Sequence, residues 1–277
     1  MSPTLGRIDA GSLERSCTIR LGASAAGLQR VEAYFPARGF EPHRHDTYGI
    51  GITMAGVQTF RYRGERRICG PGQVHVLHPD ELHDGAAASD GGFRYRIVYV
   101  ATDLVRWALG DRELPFVRDP IQDRPPVAAR VAALLRDIDE PLDELARTDA
   151  ATSLADLLVR TSGSISRPIR IDRPAMALVR DYLDAHAGEP TSLHALEQLT
   201  GLDRFTLARQ FRRAYGTSPD RYRTLRRLDR ARAAIQAGTP LATAAADAGF
   251  ADQSHLTRQF KRAYGLTPAR WVAAANR

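Results

Sequence analysis

The chain spells nearly the same sixteen residues twice. LARQFRRAYGTSPDRY, Leu207 to Tyr222, returns forty-nine residues later as LTRQFKRAYGLTPARW, Leu256 to Trp271, with ten positions identical. Such repetition limits the fold more than composition does, because both copies must meet the same physical demands. Leu207 and Phe211 stand four apart, as do Leu256 and Phe260, so each copy carries one apolar stripe on a helix. A short helix and a glycine precede each copy. The first has 193–199, then Gly201 with Asp203 as cap; the second has 241–248, then Gly249 with Asp252 as cap. Helix, glycine turn and capped second helix make a helix-turn-helix, with a turn one residue longer in the second copy.

The opposite face of each second helix is polar and suited to base edges. The first copy offers Arg204, Phe205, Thr206 and Arg209; the second offers Gln253, Ser254, His255 and Arg258. Arginine matches guanine, glutamine matches adenine, and a hydroxyl or apolar ring meets a thymine methyl. Arg213 stands one turn beyond Arg209, at a phosphate position, and Lys261 and Arg262 complete the expected DNA-binding set. Ser218 and Thr267 are predicted N-caps with Pro219 and Pro268 at the first helical position, and such starts suit a phosphate. The basic stretch 219–237 reads as one long helix that fixes the spacing of the two heads.

Charge supports this partner. Residues 161–277 hold 19 Lys+Arg against 10 Asp+Glu, a net of +9, whereas residues 1–160 hold 20 against 22, a net of −2. A basic half beside a near-neutral half points to a polyanion. A helix-turn-helix is also simply a compact way to pack two helices, but two copies with like polar faces in the basic half favour DNA. The two cysteines, Cys17 and Cys69, are too few for a disulfide framework. No apolar run reaches the roughly twenty residues of a membrane span, and no apolar leader opens the chain. The expected address is the cytoplasm.

Residues 1–100 read as β. Strands are predicted at 30–35, 49–56, 58–64, 73–78 and 93–100, with glycine, proline and aspartate between them, which argues for a small barrel or sandwich. Helical spacing then appears over 123–139 and 149–161, each stretch apolar on one face. Those faces close the barrel, pair with a second copy, or do both. The stretch 162–174 reads as a linker, and about seven helices follow from Ala175.

The last hundred residues resemble the DNA-binding domain of the AraC/XylS family of transcription regulators, through GLDRFTLARQFRRAYGTSPDRYRTLRRLDRA (201–231) and AADAGFADQSHLTRQFKRAYGLTPARW (245–271). Gly249, Phe250, Asp252, Ser254, Phe260, Lys261, Gly265 and Pro268 carry the more specific part. The resemblance implies two recognition helices in successive major grooves, about one helical turn apart. EPHRHDTYGIGITMAG (41–56) and CGPGQVHVLHPDELHDG (69–85) resemble the two motifs of a cupin barrel. His43, His45 and His83 match cupin metal histidines, but Gly49 and Ile50 stand where a metal cupin has its glutamate. Three readings of these histidines stay open: an organic effector pocket, with Tyr48 beside them; packing residues; or a transition-metal site.

The predicted whole is an α+β chain. An effector-binding and dimerisation barrel spans 1–161, a linker 162–174, and a double helix-turn-helix domain 175–277. The implied function is an effector-controlled transcription regulator, expected to activate, with DNA, a small effector, RNA polymerase and a second copy as partners. Neither catalysis nor a cofactor is expected. A metal-responsive regulator, or a cupin enzyme with a DNA-binding tail, is the alternative. The arm before Arg30 is a candidate lid over the histidines.

Overall fold

The computed structural model describes residues 17–36, 38–89, 91–110, 112–163, 170–264 and 267–275. The first part of the candidate lid, residues 164–169 of the predicted linker and Gly265 lie outside the described residues. The chain divides into two units, Met1–Arg167 and Pro168–Arg277.

Among the described residues the first unit has ten strands: β1 (Thr18–Leu21), β2 (Leu28–Phe35), β3 (Arg38–His43), β4 (Thr47–Gly56), β5 (Gln58–Tyr62), β6 (Glu65–Cys69), β7 (Val74–Leu77), β8 (His83–Ala87), β9 (Phe93–Ala101) and β10 (Ile121–Gln122). They form a six-stranded sheet, β1-β2-β9-β4-β7-β10, and a four-stranded sheet, β3-β8-β5-β6. Three helices accompany them: α1 (Thr102–Leu109), α2 (Pro125–Leu134) and α3 (Glu144–Thr161).

Register fixes which side chains look inward, because directly paired residues share a face. Gly49, Gly51 and Thr53 of β4 pair with Tyr99, Ile97 and Tyr95 of β9, and Gly49 and Gly51 pair with Leu77 and His75 of β7. On β2, Val31, Ala33 and Phe35 pair with Ile97, Tyr95 and Phe93. These residues share a core with Phe40 and Ala87 of the second sheet, so this face lies between the sheets. The outer face carries Tyr48, Ile50, Ile52, Val98 and Val100, all buried. There α2 packs on β4 and β7, α1 packs on β9, and α3 packs on α1. Buried Arg30 locks the chain after α2 by donating to the carbonyls of Asp137 and Glu140.

The structure revises several expected boundaries. β5 ends at Tyr62 because Arg63 and Gly64 turn with positive φ, 53° and 79°. β1, β3, β6, β8, β10 and α1 had no counterpart in the expected pattern; the ERRIC and HDGAA segments of β6 and β8 are too polar or too small to read as strands. α3 starts at Glu144 with Asp143 accepting from the Ala146 amide, earlier than residue 149. The apolar stripes of α2 and α3 were expected to close the barrel, pair with a second copy, or do both. Val131, Leu154, Leu157 and Leu158 are consumed inside this unit, while Val127 and Leu134 are half-buried.

The second unit is helical throughout: α4 (Arg173–Ala185), α5 (Leu193–Thr200), α6 (Arg204–Tyr215), α7 (Pro219–Gln236), α8 (Leu241–Asp247), α9 (Gln253–Tyr264) and α10 (Pro268–Ala275). α4 begins at Arg173, capped by Asp172, so its first two residues come from the stretch expected to be linker. Asp203, Ser218 and Thr267 accept amide hydrogen bonds at the starts of α6, α7 and α10, and Asp252 does so at α9. Leu207, Phe211, Leu256 and Phe260 are fully buried. Repeated spelling gives repeated packing: Phe211 meets Tyr215 at 4.6 Å and Tyr222 at 5.6 Å, and Phe260 meets Tyr264 at 4.5 Å and Trp271 at 6.0 Å.

The two turn glycines differ in what they protect. Both have positive φ, 67° at Gly201 and 81° at Gly249. A Cβ at Gly201 meets nothing within 4 Å, whereas one at Gly249 falls 2.2 Å from the Gly188 carbonyl oxygen. Gly201→Ala should therefore cost about 1 kcal/mol through φ alone, and Gly249→Ala clearly more, as read by urea unfolding of the two variants. Leu158→Asp should lower stability by at least about 3 kcal/mol rather than yield a folded monomer; calorimetry of the variant checks this.

Candidate functional site

The second unit presents two unequal helix edges. On α9, Gln253, Ser254, Arg258 and Lys261 are exposed, and Arg262 is half-buried. His255 is half-buried, its ring 5.3 Å from Phe250 and its Nδ1 accepting from the Ala251 amide at 3.4 Å. It thus steadies the turn as well as edging the face.

On α6 the expected reading face is partly spent on packing. Phe205 is 7% exposed and belongs to the core, which corrects its expected place at a base edge. Arg204 is engaged by Glu197 of α5 through a fork, Nε to Oε1 at 3.0 Å and Nη2 to Oε2 at 2.9 Å. The pair holds the carboxyl of Glu197 below its ordinary range, chiefly through that hydrogen bond. Arg209 is half-buried and donates to Thr206 Oγ1 at 2.9 Å. Arg213 is exposed, and Ser218 is half-buried at its cap. Glu197 escaped the sequence argument because nothing in its spacing marks a partner seven residues away.

The basic helix α7 is also less available than its charge implies. Arg227 donates to the carbonyls of Ala187 and Glu189, and Arg230 to those of Asp184 and Ala185, covering the C-terminal end of α4. Arg223 is buried, on Asp220 and Thr191.

In the first unit, His43, His45 and His83 do come together. His43 pairs directly with His83 across β3 and β8, and their ring centroids are 4.4 Å apart. His45 lies 4.8 Å from His83 and 6.2 Å from His43. β3 ends at His43, and His45 follows in the loop. Phe40 and Tyr99 stand edge-on to the cluster, 5.1 Å from His43 and from His45 respectively. Tyr48 does not join it: it lies on the outer face of β4, its hydroxyl donating to the Pro115 carbonyl and its ring beside His78.

The inner glycines of β4 make room for imidazoles. A Cβ at Gly51 would fall 2.3 Å from His75 Nε2, and one at Gly49 lies 3.5 Å from His45 Nε2. The place of a cupin glutamate is therefore beside the cluster but carries no carboxylate. Among the described residues no group of three or more His, Cys, Asp or Glu is placed to hold a metal ion. A separate open cleft of about 320 Å³, lined in part by Tyr34, Met54, Arg94 and Arg96, lies away from the histidines.

The odd spacing of His75 and His78 puts them on opposite faces of the chain. Both are buried, because the chain near residue 117 covers the outer one. Gln58 donates to His75 Nδ1, and the Val117 amide donates to His78 Nε2. Burial is the leading cause that pushes His75 and His78 down to about 4 and His83 to about 3, and it lowers His45 as well. The native state rejects protons that an unfolded histidine takes up below its ordinary value. Stability from these residues is whole above pH about 6.5 and falls as the pH drops below it, by on the order of 2 kcal/mol at pH 5 for each of His75, His78 and His83. Thermal unfolding followed from pH 7.5 to pH 5 should therefore show the first unit's transition falling steeply; a flat midpoint would contradict the neutral histidines.

Residues 25–158 match a family model described as an AraC-like ligand binding domain, and residues 196–274 match one described as a helix-turn-helix domain. The chain is similar to an uncharacterized HTH-type transcriptional regulator, YbfI, of Bacillus subtilis (strain 168), with 27% identity over 222 residues, 78% of this chain and 81% of that protein. A solved structure of a probable AraC family transcriptional regulator from Rhodopseudomonas palustris is 27% identical, covering 37% of this chain and 97% of its own, with a TM-score of 0.35. ToxT from Vibrio cholerae is 12% identical, covering 93% of this chain and 98% of its own, with a TM-score of 0.36. With an AraC-like ligand-binding domain ahead of a helix-turn-helix domain, the chain is a DNA-binding transcription regulator of the AraC type.

Proposed function

We propose that the protein is a one-component regulator in which a small organic effector, bound at the histidine cluster, controls binding to a specific operator. The observation that carries this reading is the doubled helix-turn-helix with a solvent-facing polar edge on α9, in a chain whose other unit brings together three histidines, two of them buried. The proposed organisation is a regulatory barrel over 1–161, a connection over 162–174 and a DNA-binding domain over 175–277. The protein acts in the cytoplasm, without catalysis, as an activator that meets RNA polymerase. It works as a homodimer; since Leu158 is buried, the pairing surface uses exposed residues of the first unit rather than that stripe. An effector shifts the regulator only by binding its two states unequally.

Exposure supports unequal roles for the two heads. Gln253, Ser254 and Arg258 read bases, with Arg209 and Thr206 as their partners on α6. Arg213, Lys261, Arg262, Ser218 and Thr267 meet phosphates. Arg258→Ala should cost on the order of 1–3 kcal/mol and relax sequence preference at one position. Arg213→Ala should weaken all sequences alike and reduce the salt slope by about 1. Fluorescence anisotropy on operator and scrambled duplexes at several salt concentrations separates the two. Equal, flat losses for both variants would show that the reading edge lies elsewhere.

A further inference from the structure

The chemical class of the effector follows from the hydrogen bonds of the three histidines, and it rests on their assignment as the effector site. Each ring engages a backbone carbonyl through Nδ1: His43 with Glu41 at 3.0 Å, His45 with Thr47 at 2.8 Å and His83 with Glu81 at 2.9 Å. A carbonyl only accepts, so each Nδ1 must carry the proton. A neutral imidazole then keeps Nε2 as a bare lone pair. Three acceptors therefore meet at one end of the barrel. The Nε2 of His45, on a residue 8% exposed, has no hydrogen-bond partner. A buried acceptor left unmade costs about 1–3 kcal/mol, and a ligand that supplies a donor removes that cost.

The surroundings narrow the ligand further. Phe40, Tyr99 and Ile97 give aromatic and aliphatic walls. A carboxylate or phosphate ligand would face lone pairs. Arg44 and Arg63, on neighbouring loops, are engaged by Asp80 and Glu81. An ammonium would lack a counter-charge in the cluster, where position 49 is glycine, and a buried unpaired charge is strongly disfavoured. A metal finds no suitable group of three ligands among the described residues.

We propose that the site takes a neutral hydroxylated molecule, a polyol or a phenol, with one O–H donating to His45 Nε2. Further hydroxyls donate to His83 and His43, and the carbon skeleton lies against Phe40 and Tyr99.

The test uses the full chain, stripped of metal with a chelator. Calorimetric titrations employ myo-inositol for the polyol arm, resorcinol for the phenol arm, benzoate as an anion, and zinc alone. Nitrogen NMR of the imidazoles on the unmodified protein reports their tautomers without any substitution. The expected result is a proton on Nδ1 at all three histidines and saturable binding of at least one hydroxyl probe. That binding should weaken about tenfold in H45F and be largely kept in H45Q, whose amide oxygen can still accept. Preferential binding of benzoate or zinc, or a protonated Nε2 at His45, would overturn the ligand class while leaving an effector site in place. Silence from all four probes would instead overturn the effector-site assignment on which the class rests.

Discussion

The first unit depends on burying β4 and β9 on both faces. A strand buried twice needs two separate covers. The outer cover is made by α1, α2 and α3, and it uses the apolar stripes that might otherwise pair two molecules. The inner cover is made by aromatic rings and imidazoles, and it fits only because β4 carries Gly49 and Gly51 on that face. Low solvation then keeps His45, His75, His78 and His83 neutral, so these imidazoles persist inside an apolar barrel without counter-ions. The site is thus a product of the packing that holds the sheet.

The second unit shows how repetition and divergence divide their labour. The buried residues of the two copies obey one rule, and the Phe–Tyr and Phe–aromatic contacts recur almost distance for distance. The outward residues do not recur. α6 ties its first turn to α5 through Arg204 and Glu197, while α9 begins with exposed Gln253 and Ser254. Packing must be conserved between copies for each to fold, but a base-reading edge is free to differ, since the two copies face different bases. Several arginines of α7 serve helix ends rather than DNA, so net charge overstates the cationic surface.

Much was legible in the sequence because it depended on local periodicity. The seven helices of the second unit, their caps at Asp203, Ser218 and Asp252, the buried Leu–Phe stripes and five of the strands follow from spacings of two or of three and four. The convergence of His43, His45 and His83 was visible only through resemblance to a barrel motif. What the tertiary structure alone decided are contacts across long separations. It turned Tyr48 outward to Pro115, spent Arg204 on Glu197, sealed Leu158 beneath its own unit and placed His78 under the Val117 amide. The side of a strand or helix that becomes interior is set by what packs on it from elsewhere in the chain, and periodicity names the two sides without saying which partner each will meet.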